Sequence, residues 1–340
     1  MIEIAIVGKP NAGKSTFLKA ATLADVKIAS YPFTTIEPNV AIAYATTKCV
    51  CKELNVECKN CINGIRFIPI KLIDVPGLVP GAHEGRGLGN KFLDDLRHAK
   101  AFIHVVDFSG LTDADGNPTK GYNPLNDIRF LEEEIDEWIY SIMLRALERY
   151  FKQGKKDVFS KIDELSSLMA KQLTGLGISE EIIKSCLIEL KKDLNKETLR
   201  EFASILRKRA KPMLIAANKM DLDEAKENYR KIKDEINYSI VPCSADYELA
   251  LRSASKIGII EYIPGASDYI VVYPVENESK FSDKHGNVLP DAFLLPNGST
   301  PIDLARAVHT DLAENFICAI DARTKQRVAS DYKMKNNDVI

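Results

Sequence analysis

The sequence predicts an α/β protein with a doubly wound, mostly parallel sheet, a helical insertion and a C-terminal α+β module. Three observations lead to this fold class. Short apolar segments alternate with helical stretches, which is the pattern of a parallel sheet covered by helices. A long stretch of helical periodicity interrupts that alternation, and the pattern changes again after Gly265. At 340 residues the chain is long enough for two or three compact units.

Six segments have the apolar character of strands that are buried on both faces of a sheet. In chain order they are residues 3–8, 40–44, 67–74, 102–107, 213–218 and 240–243. A glycine-bearing loop follows the first segment, and we expect a helix to begin near Lys14. The Asn63-Gly64 pair predicts a turn in the cysteine-rich stretch between the second and third segments.

The interval between Asp107 and Met213 is too long for a single crossover helix. Three groups of residues in it have helical spacing or a helix-start pattern: Ile128, Leu131, Ile135, Trp138, Ile139 and Ile142; Phe159, Ile162, Leu165 and Met169; and Ser179 followed by Glu180 and Glu181. We therefore expect an antiparallel helical insertion at residues 122–210. It divides the sheet domain into residues 1–121 and 211–267.

Residues 268–340 predict a separate α+β module. Strand-like segments lie at 271–275, 292–295 and 316–321. A helix is expected to begin after Thr300, which is a suitable N-cap residue, because Pro301 then occupies the first helical position.

Composition and charge exclude several classes of protein. The chain is 45% hydrophobic and 28% charged, as in soluble globular proteins, and a net charge of -2 argues against unselective binding to nucleic acid. No apolar run approaches the roughly 18 residues that a membrane span needs. The first residues resemble a buried strand rather than a signal peptide. Seven cysteines without secretion features favour a reducing compartment, so we expect a cytoplasmic protein.

The first glycine loop fits the pattern G-x-x-x-x-G-K-[ST] and lies between a strand and a helix, as that motif requires. Its backbone N–H groups can surround phosphates, and the following helix adds its positive N-terminus. Lys14 is expected to bridge the β- and γ-phosphates, and the Ser15 hydroxyl to hold Mg²⁺. The predicted phosphate-binding residues are Gly8, Lys9, Pro10, Asn11, Ala12, Gly13, Lys14, Ser15 and Thr16.

Two further segments complete a predicted γ-phosphate sensor. Asp74 ends a strand and can reach the magnesium shell, while the N–H of Gly77 can contact the γ-phosphate. A threonine before the second strand can bind Mg²⁺ only when γ-phosphate is present, and the Ile-Glu that follows favours Thr35 over Thr34. The glycine-rich residues 77–90 are the expected second switch, because such a segment loses much entropy when it becomes ordered.

The segment Asn218-Lys219-Met220-Asp221 predicts the base. Guanine presents N1–H and an amino group side by side, so one carboxylate of Asp221 can accept both hydrogen bonds. Adenine has no such pair of donors and would leave Asp221 unpaired. Ser244 and Ala245 follow the last strand and are expected to contact the guanine oxygen. The motifs together predict a site for GTP and GDP.

The motifs GKPNAGKST, YPFTTIEPN, DVPGLVPGAHEGRGLGN, NKMD and CSADYELAL resemble those of the YchF-type branch of the Obg-related GTPases. The segment from VYPVEN to ARAVHTDL resembles a TGS domain, which is a β-grasp module. The resemblance implies Mg²⁺-dependent GTP hydrolysis by a monomer that associates with ribosomes, rRNA or tRNA through its TGS and helical domains. Better-known members have a degraded base motif and accept ATP. The intact Asn218, Lys219 and Asp221 resemble the GTP-preferring archaeal or eukaryotic sub-branch.

Two features depart from that family pattern. Relatives have some tens of helical residues between an I-P-G-A-S stretch and the V-Y-P-V strand, whereas here residues 263–267 run almost directly into 272–275. The sequence also stops at Ile340, where the last β-grasp strand is expected to continue.

The group that orients the attacking water is not evident in the sequence. Ras-like enzymes use a glutamine directly after D-x-x-G, and this chain has Leu78 there, so intrinsic turnover is expected to be slow. One alternative is K⁺ held by Asn11, in the manner of potassium-dependent GTPases. His83 in the second switch is another, and a residue of the partner is a third.

Cys49, Cys51, Cys58 and Cys61 form a cluster in the sequence. The C-x₂-C half fits a structural Zn²⁺ site, whereas C-x-C is a less usual spacing. A disulfide or accidental clustering are the alternatives.

Two functions are consistent with the motifs as a whole. In the first, GTP orders both switch segments, a ribosomal partner binds that form, and hydrolysis releases it. In the second, the protein is an RNA-binding adaptor that uses nucleotide only structurally. A turnover assay separates the two. A metabolic phosphotransferase is disfavoured, because it would need an acceptor pocket and no N-K-x-D motif.

Overall fold

A computed structural model describes residues 1–22, 40–75, 96–152, 162–190, 194–255 and 269–340. The predictions that concern Thr35, Gly77, Leu78, His83, Phe159, both switch segments and the junction before residue 269 lie outside these ranges.

The central sheet contains seven strands in the described part of the chain, in the order β2-β4-β1-β5-β6-β7 with β3 beside β4. Their bounds are β1 Glu3–Val7, β2 Val40–Lys48, β3 Cys61–Ile62, β4 Ile65–Asp74, β5 Ala101–Asp107, β6 Met213–Asn218 and β7 Ser239–Pro242. Pairs β4-β1, β1-β5, β5-β6 and β6-β7 are parallel, while β2 and β3 are antiparallel to β4. This confirms the predicted doubly wound, mostly parallel sheet.

Strand β2 is longer than its apolar segment predicted. It pairs with β4 over nine residues, from Val40 opposite Ile73 to Lys48 opposite Ile65. The last residues of β2 are polar and partly exposed, so they lacked the apolar signal of a buried strand. Strand β3 is only two residues long and was not predicted. The predicted Asn63-Gly64 turn joins it to β4, with φ values of 51° and 80° that suit a type I′ hairpin.

The long interval after β5 is helical, as predicted. Helix α1 is Lys14–Thr22, and the insertion consists of α2 Pro124–Lys152, α3 Ile162–Leu173, α4 Glu180–Leu190 and α5 Lys196–Ala210. The predicted stripe on α2 forms its packing face, because Ile128, Leu131, Ile135 and Ile139 are buried against α3 and α5. Asn195, which was not predicted, caps the start of α5.

Two helices complete the sheet domain: α6 Asp223–Ile232 and α7 Ala245–Ser255. The C-terminal module contains β8 Tyr269–Tyr273, β9 Phe293–Pro296, α8 Pro301–Val308, α9 Thr310–Glu314, β10 Ala319–Asp321, β11 Gln326–Val328 and β12 Asp338–Val339. Helix α8 begins after Thr300 as predicted, and the Asp303 carboxylate accepts hydrogen bonds from the Thr300 backbone N–H and hydroxyl.

The module has the predicted α+β architecture. Strand β8 pairs with β9 in antiparallel and with β12 in parallel orientation. Strand β11 was not predicted, since it has three residues and two of them are polar. Strand β12 lies at Asp338–Val339, where the last β-grasp strand was expected. None of the helices in the described ranges is long and apolar enough to cross a membrane.

Candidate functional site

The predicted phosphate loop lies against the carboxyl ends of β1, β5 and β6. Gly8 and Gly13 have φ values of 145° and 98°, which favour glycine. A Cβ atom at Gly8 would lie 2.3 Å from the carbonyl oxygen of Val105, and one at Gly13 would lie 2.3 Å from the amide nitrogen of Asn218. Both glycines are therefore required by the close approach of neighbouring strands.

Lys14 is buried at the first turn of α1. Its ammonium donates a hydrogen bond to the carbonyl oxygen of Lys9 in the same loop, at 2.8 Å. Burial lowers the pKa of Lys14 to about 8, against the opposing effect of the nearby Asp74 carboxylate. A phosphate in this loop would supply the negative charge that keeps the ammonium protonated.

Ser15 and Asp74, two of the three predicted magnesium ligands, lie side by side. The Ser15 hydroxyl donates a hydrogen bond to Asp74 Oδ2 at 2.8 Å. The other carboxylate oxygen, Oδ1, is buried and has no hydrogen-bond partner among the described residues. A buried oxygen without a hydrogen-bond partner destabilises the folded protein, and a bound ion would remove that cost. Carboxylate and hydroxyl oxygens are ligands that Mg²⁺ prefers, so Ser15 and Asp74 fit a magnesium site.

Asn218 connects three loops of the site. Its amide nitrogen donates to the carbonyl oxygen of Ala12 in the phosphate loop, and its amide oxygen accepts from the N–H of Ala245, both at 2.9 Å. The side chain is 2% exposed, so both of its polar atoms serve protein contacts. Asn218 thus links the phosphate loop to the loops predicted to read the base.

Asp107, at the end of β5, is a residue of the site that sequence reasoning missed. It lies opposite Asn218 in the sheet and contacts the Lys219 ammonium at 2.8 Å. It also accepts hydrogen bonds from the hydroxyls of Ser109 and Thr112. Burial opposes ionisation, yet these contacts hold the pKa of Asp107 below its ordinary value. A polar residue at the carboxyl end of an apolar strand was the available signal.

The predicted base-reading residues are brought together. Lys219 has a φ of 64°, and its side chain turns back to Asp107, while Asp221 remains partly exposed. The Ser244 hydroxyl donates a hydrogen bond to Asp221 Oδ1 and fixes the orientation of that carboxylate.

The side chain of Lys9 points away from the phosphate loop and leaves only its backbone for the predicted phosphate contact. Its ammonium is buried and lies 2.7 Å from the carbonyl oxygen of Thr112 and 2.9 Å from a carboxylate oxygen of Asp127. It also lies 4.2 Å from the centre of the Tyr122 ring. Asp127 is in the first turn of α2, so this side chain fastens the phosphate loop to the helical insertion.

Asn11, the predicted K⁺ ligand, is exposed at the tip of the loop. Its amide nitrogen donates to the carbonyl oxygen of Gly116 at 2.9 Å. A Cβ atom at Gly116 would lie 2.7 Å from the carbonyl oxygen of Pro10, so a glycine is needed for this contact. A cation would bind the amide oxygen of Asn11, because the amide nitrogen has no lone pair to offer, and the contact of that nitrogen with Gly116 orients the group.

Comparison with known proteins identifies the family. The chain is 47% identical to the GTP-binding protein MJ1332 of Methanocaldococcus jannaschii, over 100% of this chain and 98% of that protein. It is 30% identical to the ribosome-binding ATPase YchF of Buchnera aphidicola, over 92% of this chain and 86% of that protein. The chain belongs to the YchF-type family of Obg-related GTPases. The first alignment extends over 391 positions, so MJ1332 contains residues that have no counterpart in these 340.

Three family descriptions match successive parts of this GTPase. Residues 3–146 match the 50S ribosome-binding GTPases, residues 216–291 the G4 motif-containing domain of YGR210-like Obg-like GTPases, and residues 285–340 the TGS domain. The crystal structure of a GTP-binding protein from Pyrococcus horikoshii has the same fold, with a TM-score of 0.73 and 38% identity over 99% of this chain and 98% of that one. The predicted TGS module is thereby confirmed.

Proposed function

We propose that this GTPase is a cytoplasmic switch that prefers GTP to ATP and acts on ribosomes during translation. The observation that supports GTP most directly is the Asp221 carboxylate, which Ser244 orients within a loop held by Asn218. A relative named as ribosome-binding and a family described in the same way support the choice of partner.

In the proposed mechanism, Lys14 and the N–H groups of the phosphate loop bind the β- and γ-phosphates. Ser15, Asp74 and Thr35 would hold Mg²⁺, and the ion would supply positive charge to stabilise the negative charge of the leaving group. The N–H of Gly77 contacts the γ-phosphate. Loss of that phosphate removes the contacts of Thr35 and Gly77, and this difference drives the switch.

The attacking water requires a group that replaces glutamine. We propose K⁺ at the amide oxygen of Asn11, with the contact to Gly116 holding the amide in place. His83 and a residue of the ribosomal partner are the other candidates. The K⁺ and partner candidates predict slow turnover by the protein alone in the absence of K⁺ or partner, whereas His83 would act without either.

The experiment that tests the switch is cosedimentation with purified ribosomal subunits, loaded with a non-hydrolysable GTP analogue or with GDP. The analogue is expected to increase the bound fraction at least tenfold. Asp221→Asn provides the control. Its ribosome-bound fraction should no longer increase with the GTP analogue, and it should increase with the corresponding xanthosine triphosphate analogue. Equal binding with both nucleotides would favour the RNA-binding adaptor, particularly if no turnover accompanies it.

A further inference from the structure

The four clustered cysteines converge on one point in space. Their Sγ atoms all lie within 4.8 Å of one another. The separations are 3.6 Å for Cys49–Cys58, 3.7 Å for Cys51–Cys61 and 3.4 Å for Cys58–Cys61. Zinc bound by four thiolates has Zn–S bonds of about 2.3 Å, which places neighbouring sulfur atoms about 3.8 Å apart in a tetrahedron. The cluster therefore has the dimensions of a four-thiolate zinc site.

The backbone builds this arrangement from two short turns. Residues Val50–Lys52 form a 3-10 turn after β2, and the N–H of Cys49 donates to the carbonyl oxygen of Gly64 in the β3-β4 hairpin at 2.8 Å. The N–H of Val56 donates to the carbonyl oxygen of Cys51 at 3.0 Å. A second turn at residues 59–60 lies between Cys58 and Cys61, so each turn contributes one pair of thiols, with C-x-C spacing in the first and C-x₂-C spacing in the second.

Disulfides account less well for the same geometry. A disulfide needs an S–S distance of about 2.05 Å, and all four cysteines are free in the structure. Cys58 also lies at nearly equal distances from two other thiols, at 3.6 Å and 3.4 Å. A disulfide would pair one of them and separate the other, whereas a single central ion holds all four.

The cluster lies where the C-terminal module packs on the sheet domain. Asn60, between two of the cysteines, donates from its amide nitrogen to the carbonyl oxygens of Leu289 and Pro290, at 3.2 Å and 3.1 Å. Arg66 is 0% exposed and donates to the same two oxygens, at 2.9 Å and 3.1 Å. Cys49 and Cys51 share one buried cluster with residues of the C-terminal module: Val271, Tyr273, Leu289, Ala292, Ala322 and Val339.

We propose that Cys49, Cys51, Cys58 and Cys61 bind one Zn²⁺ as thiolates and that the bound ion orders the surface on which the TGS module docks. Binding releases the thiol protons to solvent and requires no redox step. The loop between β2 and β3 buries few side chains of its own, so a metal crosslink supplies the order that a core would otherwise provide.

The site is separate from the nucleotide site. Asp74 ends β4 at the phosphate loop, whereas the hairpin that carries Cys61 joins the start of β4 at Ile65. A strand of this length spans about 30 Å, so the zinc has a structural role and does not contact the nucleotide. Loss of zinc is consequently expected to leave GDP affinity unchanged, which separates this proposal from the proposed switch.

The first test is the metal content of the full chain, purified under reducing conditions and measured by mass spectrometry. Wild type is expected to contain one zinc per chain, and Co²⁺ exchange should give the thiolate charge-transfer bands of a tetrahedral site. Cys61→Ser should lower the zinc content at least tenfold, and Cys61→His should restore most of it. Cys318→Ser is the matched control, because Cys318 is exposed and outside the cluster.

The second test is amide hydrogen exchange in Cys61→Ser and in wild type treated with a chelator. Exchange is expected to rise in residues 49–62 and 289–295 and to stay unchanged in β5 and β6. The chelated wild type keeps the experiment informative if Cys61→Ser does not fold. The proposed zinc site is refuted if the wild-type chain neither contains nor takes up zinc, or if these cysteines form disulfides. Unchanged exchange at 289–295 after zinc loss overturns the docking role.

Discussion

At the scale of single residues, the choice of base depends on one carboxylate. Asp221→Asn replaces an acceptor oxygen with an amide that faces the guanine N–H groups. Two donors then face each other without an acceptor, which costs about 1–3 kcal/mol. We expect GTP affinity to fall by about 100-fold and affinity for xanthosine triphosphate to rise, in a competition titration. Ser244→Ala should weaken GTP binding less, because it removes only the group that orients Asp221. Equal affinities of the wild type for ATP and GTP would contradict this account of specificity.

The contribution of Asn11 is tested by turnover in K⁺ and in Na⁺ at fixed ionic strength. Wild type is expected to hydrolyse GTP at least tenfold faster in K⁺, and Asn11→Ala to lose that acceleration while its GDP affinity changes little. His83→Ala is the parallel variant for the second candidate. If Asn11→Ala keeps the acceleration, K⁺ acts elsewhere. If neither substitution matters and turnover stays slow, the catalytic group belongs to the partner.

Several roles of single residues depended on contacts that no local pattern indicates. The P-loop, Asp74 and N-K-x-D motifs were visible because their spacing is fixed by phosphate and base chemistry. The Lys9–Asp127 ion pair joins residues far apart in the chain, and the contacts of Asn218 with Ala12 and Ala245 likewise join separate loops. Such contacts follow from tertiary structure and could not be derived from the sequence alone.

At the scale of elements, one lysine connects the start of β6 to the segment before β5. Lys211 is 3% exposed, and its ammonium donates to the carbonyl oxygens of Leu96, Arg97 and Ala99. Burial, followed by the nearby Lys100, lowers the pKa of Lys211 to about 7. The ordinary value for lysine is about 10.4.

This pKa shift predicts the pH dependence of stability. Between pH 7 and about 10 the unfolded chain binds a proton that native Lys211 does not, so the free energy of unfolding rises with pH by on the order of 1 kcal/mol per unit. Below pH 7 both states bind the proton and the contribution is constant. The melting temperature of wild type should therefore rise relative to that of Lys211→Met between pH 7 and pH 9. A constant difference in melting temperature between the two proteins would refute the shift.

The helical insertion contains a matched pair of arginines on α5 that both contact α2. Arg207 is 2% exposed and lies 2.6 Å from Asp136 and 2.9 Å from Glu132, whereas Arg200 is 60% exposed and lies 2.8 Å from Glu137. Arg207→Met removes the cationic partner of both carboxylates, which keep only hydrogen bonds with the Tyr238 and Ser204 hydroxyls, and should destabilise the protein by about 3–5 kcal/mol. Arg200→Met should cost at most about 1 kcal/mol. Chemical denaturation measures both, and equal losses would show that burial does not determine the effect.

Elements were predictable in proportion to their burial. Strand β6 has the predicted bounds, because all six of its residues are buried and apolar residues dominate it. Strands β3 and β11 are short and depend on a neighbouring strand rather than on their own composition. The polar end of β2 likewise exists because β4 pairs with it, which no periodicity within β2 could indicate.

At the scale of the whole molecule, two further arginines test how the TGS module is attached. Arg66 is 0% exposed and binds Leu289 and Pro290, while Arg323 forms an ion pair with Glu53 at 3.2 Å nearer the surface. Arg66→Met should increase amide exchange in β8 and β9 at least tenfold without changing GDP affinity, and Arg323→Met should have a smaller effect. If both variants exchange like wild type, the module is held by its apolar contacts and by the hydrogen bonds of Asn60.

The interface between the TGS module and the sheet domain also imposes an order on biosynthesis. The cysteine loop leaves the ribosome roughly 200 residues before β8, which at about 5–20 residues per second is a delay of about 10–40 s. During that time the apolar surface around Val50 has no partner, since the strands that cover it are not yet made. A nascent chain that has captured its metal would present this surface already folded, and a metal-starved cell would instead expose a loose, thiol-rich loop to chaperones and oxidants.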